Sequence, residues 1–121
     1  KQTFLKEALA LHRDVIMVKK SKNDAVIGRL KPRMTPKIFK DLSSIDVGTA
    51  IASKAEIIMA RPMSFAGAEN QVVQMTVRFT TATQRNTYLV FEKWLNQPHS
   101  PWRICGQVKE SDKYITTNKE G

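Results

Sequence analysis

Apolar residues recur at steps of four and three from Phe4 through Ala8, Leu11 and Val15 to Val18, and Leu5, Leu9 and Ile16 widen the stripe. That spacing lines one face of a helix, so residues 3 to 18 are predicted helical, with Thr3 in the N-cap position. The polar run Lys19-Lys20-Ser21-Lys22-Asn23-Asp24 ends the pattern. Pro32 and Pro36 interrupt residues 25 to 47, and Pro36 is placed to open a short helix through Phe39 and Leu42, capped by Thr35. Residues 43 to 53 are small and polar and predict a connection.

From residue 54 the period changes to two. Ala55 to Met59 is an apolar, strand-like run that Pro62 weakens or ends, and Gly67-Ala68-Glu69-Asn70 reads as a turn. In the next strand Val73, Met75, Val77 and Phe79 point one way and Gln74, Thr76, Arg78 and Thr80 the other. Residues 86 to 95, rich in Tyr, Val, Phe and Trp, predict a third strand. After the loop Asn96-Gln97-Pro98-His99-Ser100-Pro101, a last strand alternates Trp102, Ile104, Gly106 and Val108 with Arg103, Cys105, Gln107 and Lys109. Helices first and antiparallel strands after them predict an α+β fold, with N-terminal helices packed on a curved antiparallel sheet of three to four strands. One domain is expected over residues 1–109, followed by a polar tail at 110–121.

Composition changes this picture in one respect. The 41% apolar and 26% charged shares are those of an ordinary globular domain, but 20 Lys and Arg against 11 Asp and Glu leave a net charge of +9. That imbalance favours a polyanionic partner, nucleic acid or an acidic lipid surface; the competing reading is a generally basic surface of a mitochondrial matrix protein. A lone cysteine, Cys105, closes no internal disulfide, no CxxC pair is present, and a reducing compartment fits. No apolar run approaches the roughly 18 residues a membrane span needs, so membrane contact is expected to be peripheral. The chain starts at Lys1 rather than Met, which suggests a processed product with a targeting segment upstream.

The sequence carries no phosphate-cradling glycine loop, no nucleophile elbow and no HExxH pair, and no cofactor or metal is expected. His12 reads as a helix-surface or boundary residue and His99 as part of a turn. Catalysis in a pocket between helix and sheet would need an inward carboxylate near a histidine, for which Glu56 and Glu92 are the candidates. Glu92, beside Lys93, reads as solvated, and Cys105 as a structural thiol on the outer face.

Charge concentrates in residues 19 to 40. Lys19, Lys20, Lys22, Arg29, Lys31, Arg33, Lys37 and Lys40 stand against Asp24 alone, so seven of the nine net charges lie in 22 residues. Each phosphate such residues neutralise adds salt-sensitive affinity. Only Phe39 interleaves them, which argues against base stacking and for backbone contact with structured RNA or an anionic headgroup layer. The competing reading is a solvated basic loop. The polar face of the central strand is read as the ordinary wet side of a sheet rather than a docking surface.

The strings Thr76-Val77-Arg78-Phe79, Tyr88-Leu89-Val90-Phe91-Glu92-Lys93, Pro98 and Trp102-Arg103 occur in an order that resembles the Tim-forty-four-like domain superfamily. Val90-Phe91-Glu92-Lys93-x-Leu95-x-x-Pro98-x-x-x-Trp102-Arg103 looks most like its mitoribosome-receptor and tunnel-exit branch. The resemblance covers residues 54 to 108 and the first helix loosely; the connection from helix to sheet and the hairpin at residues 82 to 86 are shorter than in that superfamily. It implies a cystatin-like or nuclear-transport-factor-like cone in which Val77, Phe79, Phe91, Trp102 and Arg103 are structural. It also implies peripheral attachment to the matrix side of the mitochondrial inner membrane, contact with large-subunit rRNA and tunnel-exit proteins, and alignment of the ribosome with the membrane insertion machinery. Two alternatives remain: an import-motor tether binding cardiolipin and a chaperone, and a small-molecule enzyme using the cone-shaped pocket.

Overall fold

The computed structural model describes residues 2–21, 23–48, 50–64, 71–95, 97 and 100–108. Helix α1 spans Gln2–Ser21, α2 Asp24–Leu30 and α3 Pro36–Lys40, with single 3-10 turns at Lys31–Arg33 and Leu42–Ser44. Strands β1 (Lys54–Ser64), β2 (Gln71–Thr80), β3 (Asn86–Trp94) and β4 (Arg103–Val108) form one antiparallel sheet in the order β1-β2-β3-β4. The fold is therefore α+β as the sequence predicts. The predicted turn at residues 67–70, the Pro98–His99 part of the loop after β3, and the tail at 110–121 lie outside the described residues.

The apolar stripe of α1 lands on the sheet. Phe4, Ala8, Leu11, Val15 and Val18 are buried with Val77 and Phe79 of β2, Leu89 and Phe91 of β3, and Ile104 of β4. The Phe4 ring meets Phe91 edge-on, with centroids 5.5 Å apart. His12, further along the helix, reaches Thr87 at the start of β3, so α1 runs antiparallel to β3. Helix α1 outlasts its predicted end because a polar run does not stop a helix; α2 follows where Asn23 accepts from the backbone N–H of Ala25 and Val26, at 2.9 and 3.4 Å. Thr3 lies inside α1, not at its N-cap. Val26 and Leu30 of α2 and Met34 complete the core.

Two sequence expectations are corrected in the strands. Pro62 does not end β1, which runs on to Ser64, because β1 is an edge strand with a free side for a residue that cannot donate. The strict alternation expected of β4 fails at Cys105, which bulges between the pairs Phe91↔Ile104 and Val90↔Gly106. The bulge turns Gly106 to the outer face with Val90 and brings Gln107 back to the inner side.

One end of the helix–sheet layer is closed by the strap after α3, whose Ile45 and Val47 are buried in the core. Gln107 accepts from the Asp46 N–H and donates to the Asp46 carbonyl, Arg85 pairs with the Asp46 carboxylate at 3.2 Å, and Lys19 Nζ donates to the Ile45 carbonyl. Gly48 ends the strap in the left-handed region (φ 71°), and a Cβ there would sit 3.3 Å from Arg85 Nη1. Gly48→Ala is expected to cost about 1–2 kcal/mol, read from the urea midpoint, since an L side chain is strained in that conformation.

Candidate functional site

The basic segment of residues 19 to 40 divides in two. Arg29 grips the buried carboxylate of Asp14 with two bonds, Nε to Oδ2 at 3.1 Å and Nη2 to Oδ1 at 2.9 Å, and so fastens α2 to α1. Its guanidinium pKa is raised by that hydrogen bond and by the carboxylate's charge. Arg33 donates from Nη2 to Glu7 Oε1 at 2.6 Å and from Nε to the Trp102 carbonyl at 2.9 Å, which joins the segment to α1 and to the residue before β4. Lys19 holds the strap. These three cations tie the segment to the body of the domain, a role their sequence position alone does not reveal.

Lys20, Lys31, Lys37 and Lys40 are exposed and form no ion pair with a described residue. Lys22 lies outside the described residues. Met34 forms a parallel bridge with Ile104, and the Thr35 N–H donates to the Ile104 carbonyl at 2.9 Å, so the stretch carrying Lys31, Lys37 and Lys40 runs along the open edge of β4. Lys31 Nζ stands 5.9 Å from the centre of the Phe39 ring. Lys20 lies in the last turn of α1, and Lys37 and Lys40 in α3.

Of the residues that carry the resemblance, Val77, Phe79, Phe91 and Trp102 pack into the core and Arg103 lies on the outer face of the sheet. Val77, Phe79 and Phe91 have no exposed surface, and Trp102 lies half-buried against Phe4 with centroids 4.6 Å apart. Arg103 stands directly across from Glu92 and donates to its Oε2 at 2.7 Å. This pair and Arg78–Glu56, at 2.6 Å, lie on the outer face of the sheet. Arg78 donates to the Glu56 carboxylate and holds its pKa below the ordinary 4.5.

The groups weighed for catalysis are placed apart. His12 is not at the helix surface: it is fully buried, four residues from both Ala8 and Ile16 and thus within the apolar arc. Its ring stacks on Phe79 at 4.4 Å, and its Nε2 lies 3.3 Å from Thr87 Oγ1. Burial lowers its pKa from 6.5 to about 4. Glu56 and Glu92 both lie across the sheet from it. Cys105 is on the outer face, where burial, with the Glu92 carboxylate adding to it, pushes the thiol up to about 12. Thr76, expected on the wet face, is buried there between its cross-strand partners Met59 and Val90.

The end of the layer opposite the strap is left open by the described residues. A hollow of about 490 Å³ lies there, walled by Phe4, Ile57, Met75 and Trp102, with Glu7 and Lys93 among its polar lining. Sequence reasoning missed Lys93. The alternation Thr87, Leu89, Phe91, Lys93 puts it on the helix-facing side, a placement that its neighbour Glu92, on the outer face, obscures. No helix among the described residues is long and apolar enough to cross a membrane. The chain matches no family model and no curated protein.

Proposed function

We propose that this domain is a non-catalytic receptor that holds the tunnel exit of the mitochondrial ribosome at the matrix face of the inner membrane. The observation that carries the reading is the pairing of a fastened scaffold with free charge. Arg29 and Arg33 fix the segment through Asp14, Glu7 and the Trp102 carbonyl, while Lys20, Lys31, Lys37 and Lys40 keep their ammonium groups in solvent, outside any ion pair with a described residue. Cations held on a rigid support lose less freedom on meeting phosphates than cations on a loose loop, so more of their electrostatic attraction survives as affinity. The resemblance of residues 54 to 108 directs the polyanion to large-subunit rRNA. The same lysines serve the anionic inner-membrane surface at about 1 kcal/mol each, and in this reading the membrane insertion machinery is the neighbour.

Co-sedimentation with mitochondrial large subunits over a series of salt concentrations tests this. Association is expected, weakening steeply with salt. The variant Lys31→Gln/Lys37→Gln/Lys40→Gln is expected to lower the slope of log K against log salt by about 3, roughly one for each phosphate left without its lysine. Lys54→Gln, on the far edge strand, is expected to leave the slope unchanged. A chain that stays at the top of the gradient at low salt overturns the proposal. Flotation on cardiolipin vesicles without ribosome association would assign it to a membrane tether instead.

A further inference from the structure

We infer that the open end of the helix–sheet layer is a binding site for a small monocarboxylate with an apolar body. The hollow's volume, about 490 Å³, lies within the range of small-ligand sites. Its walls are the rings of Phe4 and Trp102 and the side chains of Ile57 and Met75, all continuous with the core. Such walls bind an apolar body by burying it.

The polar groups at the mouth select the head. Lys93 faces inward on a row shared with Thr87, Leu89 and Phe91, and its ammonium stands 6.0 Å from the centre of the Trp102 ring. A lysine at this point in a core-facing row contributes little packing that an aliphatic residue would not supply better. What it adds is a positive charge at the rim of an apolar hollow. The Ser100 hydroxyl also lines the hollow, and its oxygen is buried with no hydrogen-bond partner among the described residues. A buried hydroxyl left unpaired is unfavourable, and one that can donate to an incoming oxygen removes the penalty.

The one acid among the described residues at the mouth, Glu7, is already matched by Arg33 at 2.6 Å, so among them the Lys93 charge is the uncompensated one. A carboxylate head pairing with Lys93 and accepting from Ser100 Oγ, with its apolar part between Trp102, Phe4 and Met75, satisfies every one of these groups. A cation would meet Lys93 unfavourably, and a neutral head would leave that charge unmatched at a partly desolvated rim. The site is separate from the lysines of residues 19 to 40, so it stands or falls independently of ribosome binding.

The test is a titration of the isotope-labelled full chain with hydrocinnamate, followed through backbone amide resonances at fixed pH, beside a titration with the neutral isosteric amide. Saturable shifts centred on Phe4, Met75 and Trp102 are expected for the acid. Lys93→Gln is expected to weaken the acid about tenfold, the worth of one charge pair at a partly enclosed rim, and to leave the amide's weaker binding unchanged. Met75→Trp, which fills the hollow, is expected to abolish the shifts while the rest of the spectrum stays in place. Shifts that never saturate, that scatter over the surface, or that are equal for acid and amide overturn the assignment. So does Lys93→Gln binding the acid as well as the parent chain.

Discussion

Phe91→Ala is expected to destabilise the domain by about 3–5 kcal/mol, the range for deleting a large aromatic ring from a packed core. The ring has no exposed surface and lies at the junction of every layer of the fold. It meets Phe4 of α1 edge-on at 5.5 Å, Phe79 of β2 at 6.3 Å, and its cross-strand partner Ile104 of β4. Truncation opens a void that the helix cannot fill, because α1 is held at a fixed height by Arg33 on Glu7 and by Lys19 on the strap. Domains of this size are stable by only about 5–15 kcal/mol, so the loss takes a large share. Urea unfolding followed by circular dichroism would show the midpoint falling at nearly unchanged slope. Phe39→Ala, at a half-buried ring on α3, should cost clearly less. Equal effects at the two positions would place the centre of the core elsewhere.

That centre was readable from the sequence because two periodicities point at it. The stripe Phe4, Ala8, Leu11, Val15, Val18 and the alternation Val77, Phe79 and Leu89, Phe91 each mark one face, and the two faces cover each other. Three features lay beyond such counting. Pro62 continues β1 because the strand is an edge, a fact of sheet order and not of local preference. Cys105 breaks the alternation of β4 because a bulge adds a residue on one strand only, and composition carries no mark of that. Asp14 is buried because Arg29, fifteen residues away, returns to neutralise it, and only the packing of α2 on α1 makes the pair.

The basic segment shows the same limit. Counting charges located the strip but could not tell fastening cations from free ones. Arg29 and Arg33 have planar guanidinium forks suited to two-bond grips on carboxylate and carbonyl, and they are fasteners beside Lys19; the described exposed cations of the segment without an ion pair are all lysines, with a single compact charge on a flexible stem. Apart from Lys19, whose ammonium holds the strap, this division follows the chemistry of the two side chains. It could have been suspected from the sequence by asking which acids within reach, Glu7 and Asp14, had no other partner. It matters for function because neutralising Arg29, Arg33 or Lys19 would disturb the fold and the binding surface together, whereas Lys20, Lys31, Lys37 and Lys40 can be changed one at a time without loosening the support.

Stability is expected to fall by about 3 kcal/mol between pH 6.5 and pH 4 through His12 alone. The ring is enclosed by the core, and burial lowers its pKa from 6.5 to about 4. Above pH 6.5 the imidazole is neutral in both the folded and the unfolded chain and contributes no pH dependence. As pH falls below 6.5 the unfolded chain takes up a proton that the folded chain refuses, so the equilibrium moves toward unfolding until the folded ring is protonated as well, near pH 4. The gap between the two values, at about 1.4 kcal/mol per pH unit, sets the size of the effect. Glu56 acts in a lower window. Its pKa is held below 4.5 by the hydrogen bond from Arg78, so its contribution is present above 4.5 and is lost only as pH falls through its folded value. His12→Leu should therefore flatten the profile between pH 6.5 and 4 and leave the acid limb below it intact. At about pH 7.5 the same substitution should change stability by only about 1 kcal/mol, since it removes a single hydrogen bond to Thr87 and keeps the contact with Phe79. Urea midpoints measured across pH for the two chains decide it: if the leucine variant keeps the full slope above about pH 4.5, the enclosed imidazole is not its source.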